Sequence, residues 1–402
     1  MKRIYETVIQ EHFAQYKQML FLAGPRQVGK TTIGFSAKDL STDLIYLNWD
    51  NEDHRKIILE GPAAIANFMV LRKARPSKPT IVFDELHKYT RWKNFLKGFF
   101  DTYKEELLII VTGSSKLDIY RRAGDSLMGR YFPYHVHPFS VAECLRTSIN
   151  TQEISKPLPM EWEDFQTLFK FGGFPEPFIN KNERFSRRWK QLRREQLFRQ
   201  DIRDLSHIQE IQQLEVLAEL LKHQAGQLVN YTNLANKVRV SVDTIRRWVK
   251  VLSNFYYCFM IRPWAKNVTR SLLKEPKIYL WDWSDIEDVG QRTENFIAMH
   301  LLKATQFWTD QGFGEYELYF LRDKEKREVD FLVTKDNEPW FLVEAKHSNN
   351  QHISPSLEFF QKQIQAKHAF QVVINMDYVD YDCFSETKPL IVPAITFLSQ
   401  LI

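Results

Sequence analysis

Apolar residues fall in two rhythms along this chain. Short unbroken runs, Met19 to Ala23, Leu44 to Asn48, Thr80 to Glu85 and Leu107 to Ser115, have the length and composition of buried strands. Between and beyond them the spacing turns helical. It predicts helices over Ile4 to Tyr16, Thr32 to Lys38, Trp162 to Lys170, Arg184 to Arg203, Gln213 to Gln224 and Gln291 to Lys303. Two further short helices, Tyr231 to Lys237 and Ser241 to Leu252, are separated by a few residues only, the pattern of a helix-turn-helix. The aromatic run Phe255 to Trp264 reads as strand, as do Lys277 to Asp282, Tyr316 to Arg322, Glu328 to Val333, Trp340 to Lys346 and Phe370 to Asn375.

Composition narrows the class. The 402 residues suffice for two to four domains. With 30 Phe, 16 Tyr and 10 Trp the chain is not disordered. The net charge of +5 is compatible with a nucleic-acid partner without requiring one. Cys144, Cys258 and Cys383 lie far apart and lack metal-ligand spacing, which together with an N-terminal stretch short of a signal peptide's apolar core sets the expectation of a cytoplasmic protein. No uncharged run approaches the roughly 18 residues of a membrane span, so no membrane partner is expected.

The first chemistry lies between the first strand and the helix after it. Gly24-Pro25-Arg26-Gln27-Val28-Gly29-Lys30-Thr31-Thr32 fits G-x-x-x-x-G-K-[ST], a loop whose backbone N–H groups gather around phosphates. Lys30 would reach the outer phosphates and the Thr31 hydroxyl would sit on Mg2+. Some 55 residues on, the third strand delivers Asp84 and Glu85. Asp84 is placed to hold the magnesium ion, and Glu85 to orient the water that attacks the terminal phosphate. Thr112 and Ser114, ending the fourth strand, either sense the terminal phosphate or cap the following helix. Arg130, with Arg121 and Arg122 as competitors, is a candidate arginine finger, acting on a neighbouring subunit or remaining a surface arginine.

These segments in this order, GPRQVGKTT, IVFDELHK, VTGSS and SLMGR, resemble the P-loop ATPase domain of the AAA superfamily in bacterial and archaeal ATPases that carry a DUF4143-type C-terminal region. Phe139 to Glu143 and Gly172 to Glu176 are similar to the same group. The resemblance implies an α/β fold with a doubly wound parallel sheet, and ATP as the nucleotide; the Asn-Lys-x-Asp base-reading motif of GTP-binding proteins is not found. It sets the expected organisation as an ATPase core over 1–150, a helical lid over 151–208, a winged helix over 209–265 and a nuclease-like domain over 266–402.

The basic stretch Arg184 to Arg203, with Trp189, Leu192, Leu197 and Ile202 as its inward face, is either a phosphate-backbone contact or a solvated helix that pairs with local acids. If the helix-turn-helix docks on DNA, its second helix presents Arg246, Arg247 and Lys250; winged helices also serve as protein-binding modules. In the last third, Glu344 and Lys346 are two apart on one strand and face the same side. A hairpin through Lys335 to Glu338 brings Asp330 alongside, so that Asp330 and Glu344 converge on a hard divalent cation, with Lys346 to orient or help deprotonate a water for phosphodiester attack. This looks like the PD-(D/E)xK nuclease core, with Glu294 matching its helical acid and Val329 standing where that family has proline. Two functions are in view. One is an ATP-driven enzyme acting on DNA, with a magnesium-dependent nuclease-like domain gated by ATP. The other is a nucleotide-dependent switch that binds DNA or protein and cuts nothing. A homo-oligomer is compatible with both.

Overall fold

The computed structural model describes residues 1–41, 43–69, 77–113, 127–203, 208–265, 275–348 and 352–402. Its contacts divide the chain into two compact units, Met1–His137 with Thr147–Ile149, and Pro138–Arg146 with Asn150–Ile402.

The first unit is a five-stranded sheet: β1 (Met19–Ala23), β2 (Leu44–Asn48), β3 (Thr80–Asp84), β4 (Leu108–Gly113) and β5 (Tyr131–His135), in the order β2-β3-β4-β1-β5. Every pairing is parallel. Parallel strands are covered on both faces, which is why β1 and β3 read as unbroken apolar runs and are buried at every position. The Trp92–Tyr103 helix covers one face with Phe95, Leu96 and Phe99. Phe83 meets Phe95 and Phe99 edge-on at 5.7 and 5.4 Å, so the residue before Asp84 is locked from the side. The parallel register carries the ends of β1, β4 and β3 to one edge of the sheet, with Ala23 beside Gly113 and Asp84 beside Thr112.

The second unit holds a seven-stranded mixed sheet: β6 (Cys258–Pro263), β7 (Lys277–Leu280), β8 (Tyr316–Arg322), β9 (Glu328–Lys335), β10 (Glu338–Ser348), β11 (His368–Asn375) and β12 (Leu390–Pro393), ordered β12-β11-β10-β9-β8-β6-β7. β9 and β10 form the expected antiparallel hairpin, with Asp336 and Asn337 in the left-handed region at its tip. The Val289–Asp310 helix packs on β8 and β10. Two helices, Tyr231–Val238 and Val242–Asn254, share a core with the Ile211–Lys222 helix through Leu234, Ile245, Trp248, Leu217 and Leu221. Asn230 and Ser241 cap the two helices, accepting the backbone N–H groups of Asn233 and Thr244. The following β6–β7 pair is antiparallel, and β6 also pairs in parallel with β8 through Arg262 and Pro263. The strands after the helix pair are therefore stitched into the C-terminal sheet.

The basic helix departs from its expected face. It runs over Glu183–Gln196 and continues as a wider π turn over Leu197–Ile202. Trp189 and Ile202 are buried as expected, but Leu192 is 58% exposed. Arg193 takes the inward position, its guanidinium lying 3.8 Å from the Phe174 ring and pairing with Asp282 at 3.4 Å. Stacking plus an ion pair makes a guanidinium a better neighbour for that aromatic wall than the leucine one residue, about 100°, away around the helix.

A buried ion pair ties this unit together. Ser140 caps the Val141–Leu145 helix, and Glu143 behind it, fully enclosed, accepts a hydrogen bond from Lys303 of the long helix. The Lys303 ammonium also donates to the Pro138 carbonyl at 3.0 Å. No helix among the described residues is long and apolar enough to cross a membrane.

Candidate functional site

At the carboxyl edge of the first sheet the chain leaves β1 into Gly24-Pro25-Arg26-Gln27-Val28-Gly29 and enters the Lys30–Ser36 helix. Glycine is required at the first position: a Cβ on Gly24 would lie 2.2 Å from the Val136 carbonyl oxygen. It is favoured at the last, where Gly29 has φ 96°. The loop is pinned from behind by a residue that sequence reasoning passed over. Buried Arg3 donates to the Val28 carbonyl at 2.6 Å and to that of His137 at 2.5 Å. The Lys30 ammonium folds back onto the loop and donates to the carbonyls of Gly24 and Pro25 at 2.9 and 2.8 Å.

Asp84 is the hub of this edge. It is buried, and three hydroxyls converge on it. Thr31 donates to Oδ2 at 2.9 Å, Tyr46 donates to the same oxygen at 2.6 Å, and Thr112 donates to Oδ1. The three hydroxyls align the carboxylate beside Thr31. That is the donor set a Mg2+ ion uses when it shares one or two protein oxygens with substrate phosphates. Tyr46 was missed although it alternates with Asn48 along β2, opposite the strand that ends at Asp84. Burial, and then its bond to Asp84, raise the phenol's pKa above the ordinary value. Thr112 sits at this edge with its hydroxyl on Asp84; Ser114, Arg121 and Arg122 lie outside the described residues.

Glu85 adopts a left-handed conformation, φ 53°, that turns its side chain away from the strand direction. Its carboxylate lies 3.7 Å from the His87 imidazole and 3.6 Å from the Lys88 ammonium, and Lys88 in turn pairs with Asp50 at 2.6 Å. Burial pushes the His87 pKa down, so the ring beside Glu85 stays neutral. Arg130 does not share this edge. Its carbonyl accepts the Met19 N–H at the start of β1, and its guanidinium grips Asp101 through two bonds of 2.8 and 2.9 Å. The five residues of β1, about 13 Å at roughly 3.3 Å per residue, separate that end from the loop.

A second cluster forms where β7, β9, β10 and the Val289–Asp310 helix meet. The hairpin brings Asp330 beside β10, where its Oδ2 accepts the Ala345 N–H at 2.9 Å. Glu344 Oε1 accepts from the Lys346 ammonium at 2.8 Å, and its buried Oε2 has no hydrogen-bond partner among the described residues. Glu294 reaches the same place from the helix. Sequence reasoning missed the group at the centre, Lys277 of β7. Its enclosed ammonium lies 2.9 Å from Glu294, 2.6 Å from Glu328 and 3.8 Å from Asp330. Tyr279 adds a hydrogen bond of 2.7 Å to Glu294. Burial, followed by the charge of Asp330, pushes both Glu294 and Glu344 up to about 7, and burial also raises Asp330. Four carboxylates face the two ammonium groups, and Arg322 adds a third positive charge at Glu328. Among the described residues no group of three or more His, Cys, Asp or Glu is placed to hold a metal ion.

Of the basic candidates, Arg246, Arg247 and Lys250 are exposed on the Val242–Asn254 helix, with Arg246 4.3 Å over the Tyr231 ring. In the arginine-rich helix, Arg187, Lys190, Arg193 and Arg194 pair with Glu183, Asp285, Asp282 and Glu219 of their own unit.

Comparison with known proteins matches three segments. Residues 16–145 match the model of an AAA domain, residues 162–284 a domain of unknown function, DUF8612, and residues 289–393 a domain of unknown function, DUF4143. The chain is 23% identical over 384 residues to the uncharacterized protein MJ1544 of Methanocaldococcus jannaschii, covering 89% of this chain and 81% of that one. It is 21% identical over 352 residues to the uncharacterized protein Rv2008c of Mycobacterium tuberculosis, covering 84% and 72%. A solved structure of C. elegans PCH-2 overlaps with 14% identity and a TM-score of 0.26 over 61% of this chain and 65% of that one. The chain thus holds a P-loop on an α/β unit with a parallel sheet, within a segment similar to an AAA domain, followed by a segment similar to DUF4143.

Proposed function

We propose that the chain hydrolyses ATP in its first unit and acts on DNA through its second, with a divalent-cation-dependent nuclease-like site at Glu294, Asp330, Glu344 and Lys346. In the first unit the loop amides and Lys30 bind the phosphates, Thr31 and Asp84 hold Mg2+, and Glu85 holds and polarises the attacking water. The ion supplies charge neutralisation at the transferring phosphate. Tyr46 and Thr112 hold Asp84 in place, and Arg130, remote from its own loop, serves a neighbouring copy in an oligomer. In the second unit residues 151–208 act as lid, 209–265 as a winged helix that presents Arg246, Arg247 and Lys250 to DNA, and 266–402 as the nuclease-like domain.

The observation that carries the DNA-acting reading is the meeting of Asp330, Glu344 and Lys346 on the β9–β10 hairpin, with the buried Glu344 Oε2 lacking a donor among the described residues. A carboxylate oxygen held out of water without a donor is costly unless a cation comes to it. Supercoiled plasmid incubated with Mg2+ or Mn2+, with and without ATP, tests it. Nicking by the wild type that disappears in a Glu344→Ala, Lys346→Ala double variant supports the reading; intact plasmid throughout, or equal nicking by both proteins, removes it.

A second reading is favoured by a separate observation. Lys277 already neutralises part of the acid cluster, and four cations of the basic helix are spent on local acids. On this reading the chain is a nucleotide-dependent switch that binds DNA or protein without cutting. Salt-sensitive DNA binding without nicking would be its signature.

A further inference from the structure

A cavity of about 260 Å3 lies inside the second unit, and none of the residues of the acid cluster lines it. Its walls come from the arginine-rich helix, the Ile211–Lys222 helix, Tyr257 and the chain around the end of β7. Arg193 is the unusual group there. Its side chain is 18% exposed, and its guanidinium sits 3.8 and 5.4 Å from the Phe174 and Trp189 rings. A guanidinium carries five N–H groups. One of them has a protein acceptor among the described residues, Nη1 on Asp282 Oδ2 at a long 3.4 Å. Asp282 does not offer its second oxygen, because Oδ1 accepts the Ser284 hydroxyl and N–H at 2.6 and 3.2 Å.

The other charges of the cavity are matched. Lys190 pairs with Asp285 at 3.1 Å, and Arg194 and Lys222 share Glu219 at 2.9 and 3.3 Å. Glu287 lies 3.9 Å from Lys222, and His223 lies 3.5 Å from Glu219. Burial pushes the Arg193 pKa down although Asp282 and Asp285 oppose it, so a half-satisfied cation is held where a charge is costly.

A guanidinium edge takes a carboxylate through two parallel N–H bonds. A phosphate dianion would set a second charge against Asp282, Asp285 and Glu219, which a monocarboxylate does not. An apolar wall stands beside the guanidinium: Leu197, Leu280 and the ring of Tyr257, whose hydroxyl is spent on the Ala218 carbonyl at 2.8 Å. Leu197 also opens the π turn, a departure from the α-helix that recurs at functional sites. Ordinary ligand pockets measure roughly 300–1,000 Å3, so this one admits a small molecule only.

We propose that the cavity binds a small monocarboxylate with an apolar body, its carboxylate on the Arg193 guanidinium and its body against Leu197, Leu280 and Tyr257. The site is separate from nucleotide binding and from the acid cluster, and it stands whether or not the chain cuts DNA.

Titration of the full chain with 4-fluorobenzoate tests this, the bound fraction being read from the fluorine NMR line width. Saturable binding is expected, with none for the neutral 4-fluorobenzamide. Arg193→Lys, which keeps the charge and loses the fork, should bind the acid about tenfold more weakly, the cost of one charge-assisted hydrogen bond. Leu197→Trp, which fills the cavity and leaves Arg193 in place, should abolish binding. No binding of the acid, equal binding of acid and amide, or undiminished binding by either variant overturns the proposal. Inorganic phosphate that displaces 4-fluorobenzoate at lower concentration than unlabelled benzoate does makes this a phosphate site and overturns the carboxylate assignment. Should one variant fail to fold, the other decides.

Discussion

At the scale of single residues, the first unit's chemistry turns on how one carboxylate is held. Thr31, Tyr46 and Thr112 all donate to Asp84, and a hydrogen bond to a charged group is worth about 1.5–3 kcal/mol. Removing the Tyr46 hydroxyl takes one of the two donors from Oδ2 and leaves Asp84 held by Thr31 and Thr112 alone. Tyr46→Phe should lower kcat for Mg-ATP by about tenfold, the usual cost of losing an outer partner of a metal ligand. Nucleotide binding measured without magnesium should stay at the wild-type value. Equal loss in both would mean that Tyr46 acts on the fold and not on Asp84. In the second unit, His300 donates from Nδ1 to the Phe296 carbonyl at 2.8 Å and accepts the Val141 N–H on Nε2 at 3.1 Å. A proton on Nε2 would set two N–H groups against each other, and burial pushes the ring's pKa down to about 3. The unfolded chain, with His near 6.5, then binds a proton that the folded chain does not. This contribution to stability is intact above pH 6.5 and falls as the pH drops from there toward 3, by roughly 1.4 kcal/mol per pH unit. Denaturant melts of wild type and His300→Gln between pH 7 and 4 check it, the variant showing the shallower dependence.

At the scale of elements, the strands that deliver chemistry are also those best anchored. Phe83, enclosed by Phe95 and Phe99, fixes the end of β3, and Phe83→Ala should cost about 3–5 kcal/mol by denaturant unfolding. Glu143→Ala, which strands the enclosed Lys303 charge, should cost a similar 3–5 kcal/mol. The first element was legible in the sequence as an apolar run ending in two acids; the second stood there only as a segment of family resemblance, and its serine cap came from the structure. Also legible were the P-loop, the β9–β10 hairpin and the helix pair, because each depends on local spacing. What escaped was contact across the sheet. Arg3, Tyr46 and Lys277 sit in the chain at distances of 25, 38 and 17 residues from their partners Val28, Asp84 and Glu294. No periodicity marks which lysine of a strand edge turns inward. The inward face of the basic helix was misread at Leu192 for the same reason: the stacking partner of Arg193, Phe174, lies on another element.

At the scale of the whole molecule, the chain joins a parallel-sheet P-loop unit to a larger mixed-sheet unit whose helix pair and acid cluster share one strand network. If ATP turnover drives what the second unit does, then blocking Glu85 should uncouple binding from work. The most direct measurement is steady-state phosphate release at saturating Mg-ATP by wild type and Glu85→Gln, together with nucleotide retention by the same proteins. The account expects Glu85→Gln to retain ATP and to release phosphate at least a hundredfold more slowly, at the low end of the 10²–10⁴ range for loss of a positioned base. Phosphate release by Glu85→Gln at the wild-type rate would contradict it.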